Sequence, residues 1–579
     1  MKLSPIDGTI VVAYVLFALG LGLYYAKRAG SNINEFFISG RNLPWWLAGT
    51  SMVATTFAAD TPLAVTGLVV KDGIAGNWFW WNLVLSGMLA TFLFSRLWRR
   101  AEIITDVELT ELRYSGRSAS VLRGFRAVYV ALPINCITMG WVILAMQKII
   151  VLTFDLPPTT SWKIIAVLVC MLIAGIYCAL SGFWGVVMTD IVQFGMAMVG
   201  SITLAIIAIS KIGGINTLKT QLETIHGTDH TILNFLPDLS IGEGAILTFG
   251  VYLGMQWWAA NGDGSGYITQ RMFAAKDERN SLLATLWFTV AHYILRPWPW
   301  ILVALVSMVV YPNLEDPEAG YPMLMLDYLP VGMLGLMMAA FLAAFMSTID
   351  THLNWGASYL VNDFYKRFFK TDADERHYVI ASRIAVVLIM VIAGGTSLFM
   401  DSITGAWKFL TALNAGIGLV LILRWYWWRI NAWSEISAII ASVVATAIVF
   451  ILPQTRGEDN FAIQMLIIVP ISTIVWLIVT FVTAPVSSEQ LTAFYQRVRP
   501  SGGWWGPVAR QTEIKPNKDD EGPALVNWLF GSACIYCTLF AFGKFLLGSY
   551  EVGLIFLLPG LVAGYVVYRG LPIKNESND

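Results

Sequence analysis

The stretch FAADTPLAVTG, from Phe57 to Gly67, lies inside an apolar segment, Trp45 to Val70, that is long enough to cross a lipid bilayer. Pro62 cannot donate a backbone hydrogen bond, and its ring clashes with the carbonyl one turn earlier, so we predict a helix break between Phe57 and Thr61. The freed carbonyls and the charge of Asp60 are both costly in hydrocarbon unless something binds them. The stretch therefore predicts a broken transmembrane helix that lines a water- or ion-filled cavity.

The composition of the chain indicates a protein that crosses the membrane many times. Of its 579 residues, 57% are hydrophobic and only 13% are charged, and the mean hydropathy is +0.65. This is too much apolar surface for one soluble core. The net charge of -1 and the scatter of basic residues along the loops give no reason to expect a nucleic-acid partner.

About fifteen apolar stretches approach the length of roughly 20 residues that a transmembrane helix needs. Two of them, Trp162 to Leu180 and Gly185 to Ile209, follow one another closely and are predicted as separate spans. All cysteines fall in apolar stretches, which favours a packing role over a redox or metal site. They are Cys136, Cys170, Cys178, Cys534 and Cys537. We expect no cofactor apart from a coupling ion.

The positions of lysine and arginine predict the orientation, because cytoplasmic loops keep an excess of positive charge. Two of the basic loops hold Arg99, Arg100, Arg113, Arg117 and Arg123, and Arg271, Lys276 and Arg279. With an odd number of spans, the N-terminus is expected outside and the C-terminus in the cytoplasm. We expect a multi-pass protein of the plasma (inner) membrane.

A second interruption follows roughly 200 residues after the first, as in transporters built from two repeats. Asn261 to Arg271 reads NGDGSGYITQR, which is rich in glycine and carries a second acid, Asp263. Five predicted spans begin with each interruption, and an odd number of spans per repeat makes the second repeat insert upside down. One kink alone is often only a packing feature. Two at corresponding positions, each with an acid, favour an inverted-repeat transporter with a site midway across the membrane.

These patterns divide the chain into seven segments. They are an N-terminal extra helix and cytoplasmic loop at 1–44, a first inverted repeat at 45–210, an external loop at 211–243, a second inverted repeat at 244–425, two additional helices at 426–484, a cytoplasmic loop at 485–523, and a C-terminal helix pair and tail at 524–579. The longest polar segments are predicted as loops with short surface helices and not as soluble domains.

Five motifs carry a family resemblance. They are FFISGRNLPWWLAGTSMVATT (Phe36 to Thr56), GVVMTDIVQ (Gly185 to Gln193), YITQRMFAAKD (Tyr267 to Asp277), LAAFMSTIDTHLNWGASYLVNDFY (Leu342 to Tyr365) and FYQRVRP (Phe494 to Pro500). Through them the chain resembles the sodium:solute symporter family over most of its length. The resemblance implies an all-α, LeuT-like fold of five plus five inverted helices, in which the first and sixth core helices are broken. Flanking helices would bring the total to about 15 transmembrane helices.

The resemblance also implies a sodium site where the first broken helix meets the eighth core helix, here Val331 to Leu360. Its ligands would be backbone oxygens of Ala54, Phe57 and Ala344 and the hydroxyls of Ser347 and Thr348. The chemistry agrees, because a hard cation prefers oxygen ligands and the last three residues fall on one helix face. Hydrogen bonding between helices is the alternative role of the two hydroxyls.

A second cation or proton site is implied in the same way. Asp190 matches an acid on the fifth core helix that faces the sodium exit route. Asp350 and Thr351 lie one turn beyond the two hydroxyls of the sodium site, where some family members hold a second sodium ion. Asp350 stands where serine is usual, so it would strengthen a second cation site, carry a proton, or interact with Arg296 or His352.

The resemblance places several candidate residues around the solute. Tyr267 matches the family tyrosine that closes over bound substrate. His292 falls where the galactose carriers have a substrate-contacting lysine. The sugar-binding glutamine and glutamate of those carriers fall here on Thr61 and Trp80, so the galactose pocket is not preserved. Thr61 and Asp60 are candidate pocket residues by position. The full set of candidate substrate-binding or gating residues is Asp60, Thr61, Asp263, Tyr267, His292 and Arg296.

Arg296 shares a helix face with His292, and a buried arginine needs a partner. Asp60, Asp263 and Asp350 are the candidates. If one of them neutralises Arg296, the pocket is neutral and suits a sugar, a polyol or a zwitterion. If Arg296 is free, it would hold a carboxylate. An internal salt bridge that locks two helices is the alternative role.

The sequence thus predicts a sodium-coupled secondary active symporter that imports a small organic solute by alternating access. The solute would be a sugar, polyol, amino acid or carboxylate, and the partners are this solute, sodium ions and the lipid bilayer. A proton-coupled carrier of the same fold and a non-transporting solute sensor are the alternatives. An enzyme is not expected, because the five histidines show no spacing typical of metal ligands.

Overall fold

The computed structural model describes residues 3–29, 39–157, 159–227, 231–260, 262–500, 504–512 and 522–571. Within these ranges the elements are helices, and the only β pairing is two isolated bridges, Leu43 to Ala275 and Trp427 to Trp504. Asn261 of the second interruption and Phe36 to Ile38 of the first motif lie outside the described residues.

The first half of the chain contains eight helices in the described ranges. They are α1 (Pro5–Ala29), α2 (Trp45–Thr56), α3 (Asp60–Asp72), α4 (Ile74–Ala101), α5 (Leu109–Arg113), α6 (Gly116–Phe154), α7 (Thr160–Lys211) and α8 (Ile215–His226).

The second half begins with α9 at residues 243–259. It continues with α10 (Tyr267–Ala274), α11 (Glu278–Val310), α12 (Gly320–Tyr328), α13 (Met333–Phe368), α14 (Glu375–Ser397), α15 (Ile403–Asn414) and α16 (Gly418–Tyr426). The remaining helices are α17 (Ala432–Ile451), α18 (Glu458–Val482), α19 (Ser488–Val498), α20 (Gly506–Thr512), α21 (Gly522–Leu546) and α22 (Tyr550–Gly570).

The number of helices that could each cross a membrane is lower than the predicted fifteen. In the described residues, eleven helices are long and apolar enough, or up to thirteen if each bent helix pair is taken as one span. One further apolar helical segment in the described residues, the Thr160–Leu172 part of α7, is shorter than a full span.

The two spans predicted at Trp162 to Leu180 and Gly185 to Ile209 form one continuous helix, α7. The prediction of two separate helices in this region is therefore wrong, because one backbone helix runs through both stretches. The intervening residues contain no proline, so no covalent feature interrupts the helical hydrogen bonds. At about 1.5 Å per residue, 52 residues are more than a bilayer needs. The helix accordingly contains two apolar parts, Thr160–Leu172 and Gly185–Lys211.

The predicted break in the first core helix is confirmed. Helix α2 ends at Thr56, α3 begins at Asp60, and their axes differ by 58°. Pro62 lies in the first turn of α3, where backbone N–H groups have no helical partner in any case. Proline therefore ends one helix and starts the next at little cost.

The second interruption also separates two helices, α9 and α10. Gly264 and Gly266 between them have φ values of 76° and 116°, which non-glycine residues rarely adopt. A Cβ atom on Gly264 would also lie 3.0 Å from the Cβ atom of Ala90. Glycine is thus needed here both for the backbone conformation and for the close approach of α4.

The broken helices lie at the centre of the packing. Helix α2 packs against α7, α11 and α13, and α3 packs against α11. The C-terminal helices form two outer pairs, α17 with α18 and α21 with α22. The break between α2 and α3 is therefore enclosed by helices of both halves of the chain.

Candidate functional site

The joint between α2 and α13 is made by backbone and hydroxyl oxygens. Thr348 Oγ lies 3.0 Å from the carbonyl oxygen of Thr55 and 3.0 Å from that of Ala344. At the end of α2, the N–H of Phe57 donates to the carbonyls of Val53 and Ala54. The predicted sodium ligands Ala344 and Thr348 are thus brought to the broken end of α2.

Ser347, the remaining predicted ligand, turns toward helix α7. Its hydroxyl donates to Oδ1 of Asp190 over 2.5 Å, and the hydroxyl of Ser51 on α2 donates to Oδ2 over the same distance. Asp190 is fully buried. The carboxyl group of Asp190, with two short hydroxyl contacts, therefore joins α2, α7 and α13 directly beside the predicted ion site.

Arg271 is the functional residue that the sequence analysis missed, because it was assigned to a cytoplasmic loop with Lys276 and Arg279. The structure instead buries it completely on α10. Its guanidinium donates to the hydroxyls of Thr55 and Thr351 over 3.0 and 2.9 Å, and to Ser51 over 3.3 Å. A basic residue inside the motif that follows the second interruption was the available signal.

The residues predicted for a second cation site surround this arginine. Thr351 accepts a hydrogen bond from Arg271, and the buried Asp350 interacts with it electrostatically. The hydroxyl of Ser51 links Asp190 to Arg271. The guanidinium therefore occupies the space between groups that were predicted to share a cation.

Arg296 is buried among neutral groups. Its guanidinium donates to the carbonyl of Val53 over 3.2 Å and to the hydroxyl of Thr56 over 3.0 Å. It also lies over the rings of Phe57 and Trp300, at 5.8 and 5.1 Å from the centroids. Among the described residues, no carboxylate oxygen comes within 4.0 Å of it. Of the two alternatives that the sequence leaves open, an ion pair with Asp60, Asp263 or Asp350 is not formed among the described residues.

His292 lies between Arg296 and α2. The ring accepts from Arg296 at Nε2 over 3.3 Å, and Nδ1 lies 3.1 Å from the hydroxyl of Thr56. Because arginine can only donate, Nε2 must be unprotonated, so a neutral ring carries its proton on Nδ1. The helix face shared by His292 and Arg296, which the sequence predicted, is confirmed by this contact.

Asp60 faces the same region from the first turn of α3. Its Oδ2 accepts from the indole N–H of Trp407 on α15 over 3.1 Å, whereas Oδ1 has no hydrogen-bond partner among the described residues. The side chain is 2% exposed. Thr61 is engaged locally, with its hydroxyl 3.4 Å from the carbonyl of Thr56.

Asp263 does not belong to this group. It accepts a hydrogen bond from Arg424 over 2.7 Å and from the indole of Trp425 over 3.1 Å. Arg424 also lies 3.4 Å from Glu435 on α17. All three charged groups are at most 1% exposed. Asp263 thus anchors the second interruption to α16 and α17.

Tyr267 begins α10 and packs against aromatic side chains of α13. Its ring centroid lies 4.9 Å from that of His352 and 6.2 Å from that of Trp355. His352 is held in turn by the amide of Asn135 on α6, at 2.5 Å. On the other side, Trp80 stacks on Tyr293 at 5.6 Å. Aromatic surfaces therefore bound the region between the two broken helices.

Comparisons with known proteins agree with this arrangement. A profile of the sodium:solute symporter family matches residues 36–450. One relative is a sodium/glucose cotransporter of Vibrio parahaemolyticus, 23% identical over 477 residues, which cover 76% of this chain and 84% of the relative. Another is a sodium/myo-inositol cotransporter 2 of Sus scrofa, 22% identical over 565 residues, covering 85% of this chain and 78% of the relative.

A solved structure shares the fold. A Na+-coupled sialic acid symporter, determined in a substrate-bound outward-open state, matches with a TM-score of 0.65 and 19% identity. The match covers 84% of this chain and 99% of that one. The predicted all-helical fold of five plus five inverted core helices is confirmed.

Proposed function

Because the chain belongs to the sodium:solute symporter family, its function is sodium-coupled solute symport across a membrane, and we propose that sodium binds at the joint of α2 and α13. The ligands would be the carbonyl oxygens of Ala54, Phe57 and Ala344 and the hydroxyls of Ser347 and Thr348. Sodium is a transported ion here and not a resident cofactor.

The contact of Thr348 with the carbonyl of Thr55 supports this proposal more than any other observation. It brings a hydroxyl of α13 to the point where the first core helix loses its regular hydrogen bonding. A hard cation needs several oxygen ligands, and the end of an interrupted helix brings carbonyl oxygens outside the regular helical hydrogen-bond pattern. The buried charge of Asp190 next to Ser347 adds an attraction for the ion.

Coupling follows from the position of this joint. An ion bound there would hold α2 to α13 and favour one arrangement of the two repeats. A solute that binds the same arrangement then raises the affinity for sodium, and sodium raises the affinity for the solute by the same factor. Each ion that enters gains about 2.3 kcal/mol per 100 mV of membrane potential.

We propose a positioning role for Asp190. It orients the hydroxyl of Ser347 and lies next to the ion on the expected route of release. A second cation or a proton at Asp190, Asp350 and Thr351 would require Arg271 to leave its present position, because its guanidinium repels positive charge there. Such a site would form only in another conformation of the cycle.

Orientation and solute class complete the proposal. Loops rich in arginine and lysine favour an external N-terminus and a cytoplasmic C-terminus in the plasma (inner) membrane. The glucose, myo-inositol and sialic acid carriers among the relatives favour a small polar organic solute. Tyr267, His292, Arg296, Asp60 and Thr61 are the proposed solute-binding or gating residues. Asp263 is proposed as a structural anchor.

Thermal unfolding of the purified protein tests the proposal. The midpoint is measured with sugars, polyols, amino acids and carboxylates, each in sodium chloride and in choline chloride. Ligands that bind only the folded state raise the midpoint by mass action. A solute that stabilises the protein in sodium alone is the expected result. Equal shifts in both salts for every active solute would overturn sodium coupling.

A further inference from the structure

Two opposite charges next to the first helix break have unused hydrogen-bonding atoms. Nε of Arg296 and Oδ1 of Asp60 are both buried and have no partner among the described residues. The side chains are 1% and 2% exposed. The two charges are within electrostatic range of each other, yet they do not form an ion pair within 4.0 Å. Unpaired buried charges are costly, so the arrangement favours a ligand that pairs with both.

The guanidinium of Arg296 leaves one edge available. Nη1 is occupied by the carbonyl of Val53 and the hydroxyl of Thr56. Within the described part of the chain, Nη2 contacts only the ring of His292, at 3.3 Å, and Nε contacts no acceptor. Nε and Nη2 form the edge that matches the two oxygens of a carboxylate. Asp60 in turn offers Oδ1 to a donor, because Trp407 uses only Oδ2.

We propose that the solute is a small carboxylate whose opposite end carries a hydrogen-bond donor, with the carboxylate on Arg296 and the donor on Asp60. The donor is an ammonium or a hydroxyl group, so the class includes amino acids and sugar acids. The proposal rests on the proposed function, because it assigns the solute of the same transport site. A neutral sugar would leave both charges buried without a charged partner.

This solute position also accounts for communication with sodium. Arg296 donates to the carbonyl of Val53, which directly precedes the proposed sodium ligand Ala54, and to the hydroxyl of Thr56, which directly precedes the ligand Phe57. A carboxylate that draws the guanidinium toward itself therefore acts on the backbone whose carbonyls face the ion.

The test uses the purified full-length protein in sodium chloride and in choline chloride. The thermal midpoint is measured with the twenty common amino acids, with gluconate, glucuronate and sialic acid, and with glucose and myo-inositol. We expect at least one carboxylate, and neither neutral compound, to raise the midpoint. A response to an amino acid assigns the ammonium group, and a response to a sugar acid assigns a hydroxyl group.

The outcomes separate this inference from the proposed function. If no carboxylate stabilises the protein in sodium, including the case in which only neutral compounds do, the inference is overturned. Sodium coupling is then judged separately, by comparing the midpoint shifts in sodium chloride and in choline chloride. If a carboxylate stabilises equally in choline, sodium coupling fails while the assigned solute class stands. We expect the methyl ester of the active carboxylate not to raise the thermal midpoint. This comparison needs no variant protein.

Variants then assign the two contacts. We expect Arg296→Gln to weaken carboxylate binding by roughly thirtyfold or more, because a buried charge pair is lost. Arg296→Lys should restore part of it, and Asp60→Asn should weaken amines more than hydroxy acids. Arg113→Lys is the matched control, since Arg113 is also buried but donates to the carbonyls of Arg424, Trp427 and Trp428.

The sodium-induced midpoint shift without solute shows whether each variant is folded. Unchanged carboxylate affinity in a folded Arg296→Gln protein would overturn the inference and indicate an internal, water-bridged pair with Asp60. If that variant does not fold, the ester comparison on the unmodified protein decides.

Discussion

The hydroxyl of Ser347 lies 2.5 Å from Oδ1 of Asp190, and this contact ties helix α13 to helix α7 beside the break of the first core helix. Ser51 on α2 occupies the other carboxylate oxygen. One buried charge therefore fixes the relative positions of three helices that contribute to the proposed sodium site. Two of them, α2 and α13, lie in the segments that the sequence predicts as different repeats, so we expect movement between those segments to change these contacts.

Replacing Ser347 with alanine removes one proposed sodium ligand and one partner of Asp190. We expect the sodium concentration for half-maximal solute uptake to rise about tenfold or more, because a lost hydrogen bond to a charged group costs about 1.5–3 kcal/mol. Uptake by proteoliposomes at varied sodium concentration measures this. Ser358→Ala is the control, since Ser358 is buried on the same helix but donates to the carbonyl of Trp355. An unchanged sodium dependence in Ser347→Ala would count against the site.

Asp190→Asn keeps the shape of the side chain and removes its negative charge. We expect the sodium-induced rise of the thermal midpoint to shrink markedly, because the ion loses a nearby charge in a buried setting. The midpoint without sodium reports any purely structural role. If it falls while the sodium-induced rise stays intact, Asp190 acts only as a structural anchor.

We expect removal of one partner of the Asp263–Arg424 pair to lower the free energy of unfolding more than removal of most other contacts. Both groups are at most 1% exposed, so Asp263→Ala leaves the buried Arg424 with the longer contact to Glu435 and should cost about 3–5 kcal/mol. Arg367→Ala is the comparison, because it removes a partly exposed pair with Glu111 and should cost about 1 kcal/mol or less. Chemical unfolding in detergent compares the two variants. Similar losses in both would contradict the distinction.

A dependence on acidic pH is expected around Glu111 on α5, which bonds to the start of α6 and to α13. Burial raises the pKa of the Glu111 carboxyl, but hydrogen bonds from Ser120, Arg123 and Arg367 outweigh it and hold the pKa below its ordinary value. The stabilisation is complete above about pH 4.3, the ordinary pKa, and is lost as the pH falls through the lower folded value.

The thermal midpoint of the unmodified protein and of Glu111→Gln, followed from about pH 7 to about pH 3, tests this dependence. The difference between them should be constant at the upper end of the range and decrease at the lower end. A difference that increases with acidity would reverse the sign of the argument.

The sequence predicted those parts of the site that depend on local chemistry. Pro62 and Asp60 within an apolar segment were enough to locate the first break, since proline acts on its own turn of helix. Glycines after α9 located the second break for the same reason. Ala344, Ser347 and Thr348 were identified through the family resemblance, and their spacing agrees with a common helix face.

Long-range partners could not be predicted in this way. Asp263 was a candidate partner of Arg296, but it binds Arg424, which lies 161 residues further along the chain. Arg271 was assigned to a loop because hydropathy counts an arginine as polar, whether or not hydroxyls bind it. The continuous helix α7 was missed because the polar and small residues near Gly185 resemble a loop between two helices. None of them is a proline, so they do not interrupt the helix.

The contact between Thr348 and Thr55 spans 293 residues of chain, which has a consequence for biosynthesis. At about 5–20 residues per second, a ribosome needs roughly 15–60 s to make that distance. During this interval α2 and α3 are already synthesised, but the helix that completes their break does not yet exist. Until α13 is made, the carbonyl of Thr55 lacks the hydroxyl of Thr348 that contacts it in the folded protein. A chain truncated before Met333 would lack this contact permanently, so the end of α2 would remain without its partner on α13.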